Sequence, residues 1–313
     1  MQIPFFRYPH VYQQYHAEIE EALLCAATSG SYIMQQELCE FEAQLAKYCG
    51  VEYAVGVANA TDGLELNLRV AGIGPGDEAL LPSHTFVATA SAVVAVGARP
   101  VFVEIGPDHL IDPEDIEHRI TDRTTAIMPA QLNGRTADME RVTAIAERHG
   151  LKIVEDSAQG LGSRFCGRMA GTFGVAGVFS FYPAKILGAL GDGGAVVTDD
   201  EEVAQTLREL RDHGRDEAGE VVRWGRNSRL DNLQAAVLLV KLARIDEAIT
   251  MRRRLGARYH QGLNDIAELV LPPPPDESAS AIPARAWESV ANPDRFSRLP
   301  TDFVRESGAS VLT

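Results

Sequence analysis

The 313-residue sequence contains no long apolar run, and its N-terminus lacks a basic start followed by an apolar segment. The first absence argues against a membrane-spanning helix, and the second argues against a secretory signal peptide. Basic residues are in the minority, since 29 lysines and arginines stand against 44 aspartates and glutamates, which gives a formal charge of −15. A chain of this charge lacks the basic face that nucleic acids and anionic membranes require, so neither partner is expected.

Cysteine is scarce and follows no metal-binding pattern. The four cysteines, Cys25, Cys39, Cys49 and Cys166, show no CxxC spacing. In a chain of this size, that usage favours reduced thiols in a cytoplasmic protein, and it predicts no metal site. Internal repeats are absent from the sequence, and its one low-complexity segment, 272–283, reads PPPPDESASAIP and indicates an extended linker.

The chain does contain an alternating pattern of strands and helices. Short β-branched or apolar runs predict strands at 53–58, 79–82, 100–105, 125–130 and 151–156. Helical spacing predicts helices between these runs and also at 11–28, 37–48, 201–213, 230–249 and 250–263. Such alternation predicts an α/β fold with a mostly parallel central sheet flanked by helices. In that architecture, ligands bind beyond the carboxyl ends of the strands.

The segment 178–199 places a single lysine, Lys185, among apolar and small residues between two predicted strands. An apolar setting favours the neutral amine, which is the form that makes a Schiff base with a carbonyl cofactor. On this segment alone, a loop lysine whose amine reaches solvent is the simpler interpretation.

Several polar residues lie where a phosphate can bind. Ala60 and Thr61 stand at a junction between a strand and a helix, where free backbone N–H groups and a hydroxyl suit an anion, although a plain helix cap has the same pattern. Ser180 can add a second hydroxyl. Asn227 precedes a long helix and is either a cap or a donor to an anion.

Other residues suit a flat heteroaromatic ring. Asp156 ends a predicted strand and can hold a protonated ring nitrogen, while Gln159 can bind a ring oxygen, although acids at strand ends also serve as caps. Phe86 can stack on the ring, although a phenylalanine is more often a core residue.

In this order, the combination resembles the DegT/DnrJ/EryC1/StrS family of sugar aminotransferases, which are fold-type I enzymes that use pyridoxal 5′-phosphate. The resemblance runs from about residue 20 to about residue 263. It is carried by CEFEAQLAKYCGVEYAVGVANATDGLELNLRVAGIGPGDE, LPSHTFVATASAVVAVGARPVFVEI, IVEDSAQGLGSRFCGRMAGTFGVAGVFSFYPAKILGALGDGGAVVT and NSRLDNLQAAVLLVKL. It implies an N-terminal helical segment at 1–30, a large cofactor-binding domain at 31–245 and a small C-terminal domain at 246–313.

The resemblance also implies roles for the residues that match the cofactor site. Lys185 is expected to form the Schiff base and then to move the proton between the substrate carbon and the cofactor carbon. Asp156 is expected to keep the ring nitrogen protonated, so that the ring accepts electrons. Gln159 would contact the ring hydroxyl, and Phe86 would stack on the ring. Because the dehydratase branch of the family has a histidine at this position, Lys185 favours transamination.

For the phosphate, the resemblance implies contacts from Ala60, Thr61 and Ser180. Asn227 matches a residue that reaches the phosphate of the partner subunit, which implies a homodimer with active sites at the interface. His84 and Tyr32 are the residues expected near the substrate.

The sequence departs from the family at three places. Residues 131–134 read QLNG where the family has HLYG, so a substrate contact from that histidine is absent. Met34 and Gln35 replace an expected glycine. The C-terminal part is shorter than usual and matches poorly the segment that completes the small domain.

The leading hypothesis is an aminotransferase that moves an amino group from an amino acid, expected to be L-glutamate, to a nucleotide-linked keto-sugar. Such a reaction belongs to deoxyaminosugar biosynthesis for antibiotics or surface polysaccharides. A cyclitol-type ketone is the alternative acceptor. The short C-terminal part leaves a second alternative, a truncated and catalytically impaired relative that binds the cofactor and has a partner or regulatory role.

Overall fold

The computed structural model describes residues 6–265, 271 and 279–280. The helices are α1 (Tyr8–Gln13), α2 (His16–Ser29), α3 (Gln36–Cys49), α4 (Ala60–Val70), α5 (Ala88–Ala95), α6 (Pro113–Arg119), α7 (Met139–His149), α8 (Glu201–Arg211), α9 (Asn232–Leu242) and α10 (Ile245–Leu263), with a short 3-10 turn at Leu132–Gly134. The strands are β1 (Tyr53–Val57), β2 (Glu78–Pro82), β3 (Arg99–Val103), β4 (Thr124–Ile127), β5 (Lys152–Asp156), β6 (Arg164–Phe165), β7 (Arg168–Met169), β8 (Ala176–Ser180), β9 (Gly194–Thr198) and β10 (Ala279–Ser280).

Seven strands form the central sheet in the order β1-β9-β8-β5-β4-β2-β3. The pairs β2–β3, β2–β4, β4–β5 and β5–β8 are parallel, which confirms the predicted α/β fold. Strand β9 is antiparallel to both of its neighbours, β8 and β1. The segment between β8 and β9 contains no helix, so the chain turns back along the sheet there instead of crossing over it.

Apolar side chains cover both faces of the sheet. One cluster joins β1, β8 and β9 to α4, α5 and α8, with Val55, Leu66 and Val178 fully buried. A second cluster lies on the opposite face and packs α3 and α9 through Phe41, Phe179 and Leu238. A third joins β3, β4 and β5 to α6 and α7.

Short polar side chains start several of the helices. The side chains of Asn59, Asp112, Asp138 and Asp200 each accept a hydrogen bond from a backbone N–H in the first turn of α4, α6, α7 and α8. These caps satisfy donors that have no partner within the helix. Because β9 is antiparallel to β1, the caps at Asn59 and Asp200 lie at opposite edges of the sheet.

Two helix predictions are wrong in their boundaries. The helix predicted at 11–28 is two helices, α1 and α2, separated by Gln14 and Tyr15. The helices predicted at 230–249 and 250–263 break earlier, at Ala243 and Arg244. Neither break contains glycine or proline, and the buried residues Leu242 and Ile245 carry the apolar spacing across the second one. Periodicity therefore gave no sign of either break.

The predicted linker at 272–283 and most of the predicted small domain lie outside the described residues. Within them, Ala279 and Ser280 form β10, which pairs antiparallel with β6. In the part of the chain that the structure describes, no helix has both the length and the apolar character needed to cross a membrane.

Candidate active site

Asp156 and Lys185 meet at one edge of the central sheet. Asp156 is the last residue of β5, and Lys185 lies five residues beyond the end of the adjacent parallel strand β8. Because the carboxyl ends of parallel neighbours share one edge, the fold brings both residues there. The charge of Lys185 lowers the pKa of Asp156, so the amine and the carboxylate are close enough to interact.

The carboxylate of Asp156 is buried and has few donors. Its Oδ2 accepts a hydrogen bond from Thr89 Oγ1 at 2.6 Å, and its Oδ1 accepts one from Ala158 N at 3.2 Å. Burial raises the pKa of Asp156, and it outweighs Thr89, Ala158 and Lys185, which all lower it. The negative charge is therefore incompletely compensated by this chain, and a further cation or N–H donor would stabilise it.

Thr89 was not found by the sequence analysis. It is the second residue of α5, is fully buried, and lies 2.8 Å from the Thr85 hydroxyl and 3.1 Å from the carbonyl of Phe86. A hydroxyl has one proton, and the short distance to a charged acceptor favours Asp156 as its recipient. The spacing of Thr85 and Thr89 at the start of a helix was the one available signal, because residues four apart share a helix face.

Phe86 is an exposed aromatic residue beside Asp156. Its side chain is 66% exposed, so it is not a core residue. The Phe86 carbonyl accepts a hydrogen bond from Thr89 N at 3.1 Å. Thr89 also donates to Asp156, so it connects the backbone of Phe86 to that carboxylate. Its stacking role stays a prediction.

The start of α4 lies close to the end of β8, with Gly194 between them. Asn59 Oδ1 accepts from Asp62 N at 2.8 Å, which leaves the N–H groups of Ala60 and Thr61 without a helix carbonyl to accept them. Ser180 pairs with Gly194 across β8 and β9. A Cβ atom on Gly194 would lie 2.8 Å from Ala60 N, so the absence of a side chain there lets Ser180 approach the start of α4.

Arg226 neutralises two acidic residues near the start of α4. Its Nη1 lies 3.1 Å from Asp62 Oδ1 and 2.7 Å from Glu65 Oε2, both on the first turns of α4. Without that arginine, two carboxylates would oppose an anion at the helix start.

Gln159 lies close to the same edge, three residues beyond β5. Its Oε1 accepts from Asn133 N at 3.1 Å, so its Nε2 is the atom with which it can donate to a ligand. Asn133 has a φ of 55°, in the left-handed region.

Gln131, at the position of the family's histidine, is an internal structural residue. It is 1% exposed, and its Nε2 donates to Glu155 Oε2 at 2.9 Å while its Oε1 accepts from Ala137 N at 2.8 Å. Glu155 also accepts from the backbone of Gly171 at 2.8 Å, and burial raises its pKa. Glu155 therefore organises the interior beside Asp156 and is not itself available to a ligand.

Tyr32 and Met34 lie on the connection between α2 and α3. The Tyr32 hydroxyl donates to Ala27 O at 3.0 Å, and its carbonyl accepts from Asn232 N at 2.9 Å. Met34 has a φ of 51°, which explains physically why glycine is expected at this position. The contact of Tyr32 with a substrate stays a prediction.

His84 lies two residues before Phe86 and faces His109. The two imidazole rings are 5.9 Å apart between centroids, and His84 Nδ1 is 3.4 Å from the His109 carbonyl oxygen. Burial, together with His84 and Arg135, lowers the pKa of His109. The role of His84 toward a substrate stays a prediction.

Asn227 is exposed on the segment that precedes α9. Its Oδ1 accepts from Arg229 Nε at 3.1 Å, and its backbone pairs with Asp212. Nearby on the same segment, Val221 and Trp224 are 66% and 91% exposed, which is unusual for large apolar side chains.

The residues at this edge fit pyridoxal 5′-phosphate. The unpaired helix N–H groups and the Ser180 hydroxyl match a phosphate, and the undercompensated Asp156 matches a protonated ring nitrogen. Lys185 supplies the amine. No group of three or more metal-binding side chains occurs among the residues described by the structure.

Comparison with known proteins gives consistent matches. The model of the DegT/DnrJ/EryC1/StrS aminotransferase family matches residues 13–296. A dTDP-3-amino-3,4,6-trideoxy-alpha-D-glucose transaminase from Streptomyces venezuelae is 46% identical over 86% of this chain and 72% of its own length. DesV of S. venezuelae, solved in complex with a ketimine intermediate, has a TM-score of 0.87 at 44% identity, over 90% of this chain and 76% of its own. NtdA of Bacillus subtilis, solved with the bound cofactor PMP, has a TM-score of 0.81 at 32% identity, over 87% of this chain and 63% of its own.

Proposed function

The chain belongs to the DegT/DnrJ/EryC1/StrS aminotransferase family, and on that basis we propose that it uses pyridoxal 5′-phosphate to transfer an amino group to a nucleotide-linked keto-sugar. Membership confirms the family resemblance seen in the sequence. The names of similar proteins support the acceptor class, because they include transaminases of dTDP-linked and UDP-linked sugars. L-Glutamate is the proposed amino donor.

The observation that carries the proposal is the position of Lys185 beside the buried, undercompensated carboxylate of Asp156. When bound, pyridoxal phosphate supplies an aldehyde that takes up the amino group and a ring that accepts electrons. Asp156 holds a proton on the ring nitrogen, and its burial strengthens that interaction. Lys185 Nζ moves the proton between the substrate carbon and the cofactor carbon.

The remaining residues bind and orient. The N–H groups of Ala60 and Thr61 and the hydroxyl of Ser180 bind the phosphate. Gln159 donates from Nε2 to the ring oxygen, and Phe86 covers one face of the ring and excludes water from it. His84 and Tyr32 are the proposed neighbours of the acceptor.

A homodimer in the cytoplasm is part of the proposal. Asn227 is exposed beside Val221 and Trp224, and an exposed apolar segment is the kind of surface that a second subunit covers. In the dimer, Asn227 reaches the phosphate bound by its partner. The four unpaired cysteines support a reducing compartment.

The test begins with the purified protein and pyridoxal phosphate. We expect a visible absorption band that is absent from Lys185→Ala, and we expect L-glutamate to shift that band into the near ultraviolet. A band that no common amino donor shifts would contradict transamination and favour the impaired relative.

The acceptor class is tested in the reverse direction with 2-oxoglutarate. Three amino compounds are compared: a nucleoside-diphosphate-linked amino sugar, the same sugar without its nucleotide, and an aminocyclitol. We expect glutamate to form rapidly only with the first. Preferential turnover of the aminocyclitol would replace the proposed acceptor with a cyclitol ketone.

A further inference from the structure

Helix α9 contacts the turn that follows Lys185 through two polar side chains. Gln234 Oε1 accepts a hydrogen bond from Leu190 N at 2.9 Å, and Lys241 Nζ donates one to the carbonyl oxygen of Gly188. Gln234 and Lys241 are seven residues apart, which is about two helical turns, so they lie on one face of α9. One helix face therefore binds an N–H group and a carbonyl of the same short turn.

That turn is tightly connected to Lys185. Ala189 N donates to Phe181 O at 2.8 Å, and Lys185 N donates to Tyr182 O at 2.8 Å. A Cβ atom on Gly188 would lie 2.4 Å from the carbonyl oxygen of Pro183, so the backbone at Gly188 is in direct contact with the backbone at Pro183. A displacement of Gly188 therefore displaces Pro183, two residues before the lysine.

Lys241 occupies an unfavourable place for an amine. Burial lowers the pKa of Lys241 to about 8, which means that its environment disfavours the charged form. A methionine would fill a similar space without burying an amine, so packing alone does not explain a lysine there. Its hydrogen bond to Gly188 does.

We propose that Gln234 and Lys241 are positioning residues that hold the 188–190 turn in place, and thereby keep the Lys185 amine close to Asp156. Neither Gln234 nor Lys241 is among the residues assigned to the cofactor site. Because Lys185 is the reacting amine only if the proposed function holds, this role in the reaction rests on that function. The mechanical part, restraint of the loop by α9, is independent of it.

The restraint is tested by amide hydrogen exchange on the cofactor-free protein. In Lys241→Met and in Gln234→Leu, we expect exchange in the segment 182–193 to rise about tenfold or more, the effect of losing a hydrogen bond at a local opening. Gln234→Glu keeps an acceptor for Leu190 N and should retain the exchange rate of the wild-type protein.

Lys152→Met is the matched control. Lys152 Nζ also donates to a backbone carbonyl, that of Ala71. Lys152 is the first residue of β5, so it lies at the edge of the sheet opposite to the segment 182–193. We expect this variant to leave exchange in 182–193 unchanged.

The link to Lys185 is tested by spectroscopy of the loaded protein. In Lys241→Met and Gln234→Leu, the rate at which the visible cofactor band forms and the pH midpoint of that band should both change. In steady state, kcat should fall about tenfold or more, while KM for glutamate changes little. Gln234→Glu should restore all three quantities.

Unchanged exchange in 182–193 for both variants, or an equal rise throughout the protein, would overturn the proposed restraint. Altered exchange with an unaltered cofactor band would overturn the link to Lys185. A wild-type protein that forms no cofactor band at all would refute the proposed function instead, and the exchange measurement would still decide whether α9 restrains the loop.

Discussion

Asp156 shows how one residue can serve reactivity at the expense of stability. Its carboxylate is buried, receives one short hydrogen bond from Thr89, and has a pKa that burial raises above the ordinary value. A group with a raised acid pKa binds more protons in the folded state than in the unfolded state at mildly acidic pH. Stability is therefore lost as pH rises through that interval, and the loss persists at neutral pH.

Asp156→Asn should reverse this loss in the cofactor-free protein. The asparagine keeps the acceptor for Ala158 N and can donate from Nδ2 to the Thr89 hydroxyl, but it carries no charge. We expect its free energy of unfolding, measured in urea, to exceed that of the wild-type protein at pH 7 and to approach it near pH 4. The rate of transamination should fall by about 10² to 10³ because the ring nitrogen loses its counter-ion. A difference in the free energy of unfolding that does not vary with pH would show that ionisation of Asp156 does not cause the loss of stability.

Thr89→Val should have the opposite effect on stability. It keeps the shape of the side chain but removes the 2.6 Å hydrogen bond to a buried carboxylate, so we expect a loss of about 1–3 kcal/mol in the free energy of unfolding. Thr125→Val is the control, since the Thr125 hydroxyl is buried and has no hydrogen-bond partner among the described residues. That control should lose no stability, because it removes a buried hydroxyl that has no partner to lose. Equal losses in the two variants would mean that the bond to Asp156 contributes nothing.

At this scale, the sequence predicts the residues whose chemistry is intrinsic. Asp156 is recognisable because a carboxylate ends an apolar strand, and Lys185 because a lysine stands among apolar and small residues between two strands. Thr89 and Asn59 are common residue types whose importance comes only from what lies beside them in space. Gln131 was expected to mark a missing substrate contact, and only the structure assigns it a partner, Glu155.

Among the elements, the contact between the start of α4 and strand β9 matters most for the proposed phosphate site. Gly194 is the residue at which they meet, because a Cβ atom there would lie 2.8 Å from both Ala60 N and Asn59 C. The close approach between the start of α4 and the sheet therefore requires that position 194 has no side chain.

Gly194→Ala should weaken binding of the phosphate more than binding of the ring. Its Cβ would lie 2.8 Å from Ala60 N, which forces α4 away from Ser180. We expect Kd for pyridoxal phosphate to rise about tenfold or more, while Kd for pyridoxal changes little, in absorbance titrations of both compounds. Gly74→Ala provides the control, as its nearest contact would be 3.9 Å away. Equal weakening for both compounds would indicate general damage to the site.

Elements with strong periodicity and capping residues are predictable, and their breaks are not. Helix α7 lies between two predicted strands, where a helix was expected, and it starts with Asp138 as its cap. The break between α9 and α10 has no sequence signal, because the buried residues on either side of it, Leu242 and Ile245, belong to one apolar cluster. Strands β6 and β7 have two residues each, too few to show a period.

For the whole molecule, the central question is whether each active site contains residues of two subunits. Lys185→Ala and Asn227→Asp chains can be mixed, unfolded and refolded together. If Asn227 serves its partner, the mixed dimer has one intact site, and about a quarter of wild-type activity should return in an equal mixture. If Asn227 serves its own chain, both sites of every mixed dimer stay defective and no activity returns. Each variant refolded alone is the control.

The parallel strands β2, β3, β4 and β5 were predictable because a helix separates each of them from the next. The reversed strand β9 was not, since the apolar residues 195–198 are fully buried and read the same in either direction. Its direction follows from the connection after β8, whose turn is held by α9, a helix far along the chain.

The pairing of β1 with β9 has a consequence during synthesis on the ribosome. Tyr53 pairs with Thr198, so β1 is translated about 145 residues before its partner. At typical elongation rates this interval is roughly seven to thirty seconds. Throughout it, the apolar strand YAVGV has no neighbour on the side that β9 will occupy, and it is open to pairing with other nascent chains. Slower translation of residues 54–197 would lengthen that exposure, so the yield of folded protein should depend on codon choice in this region.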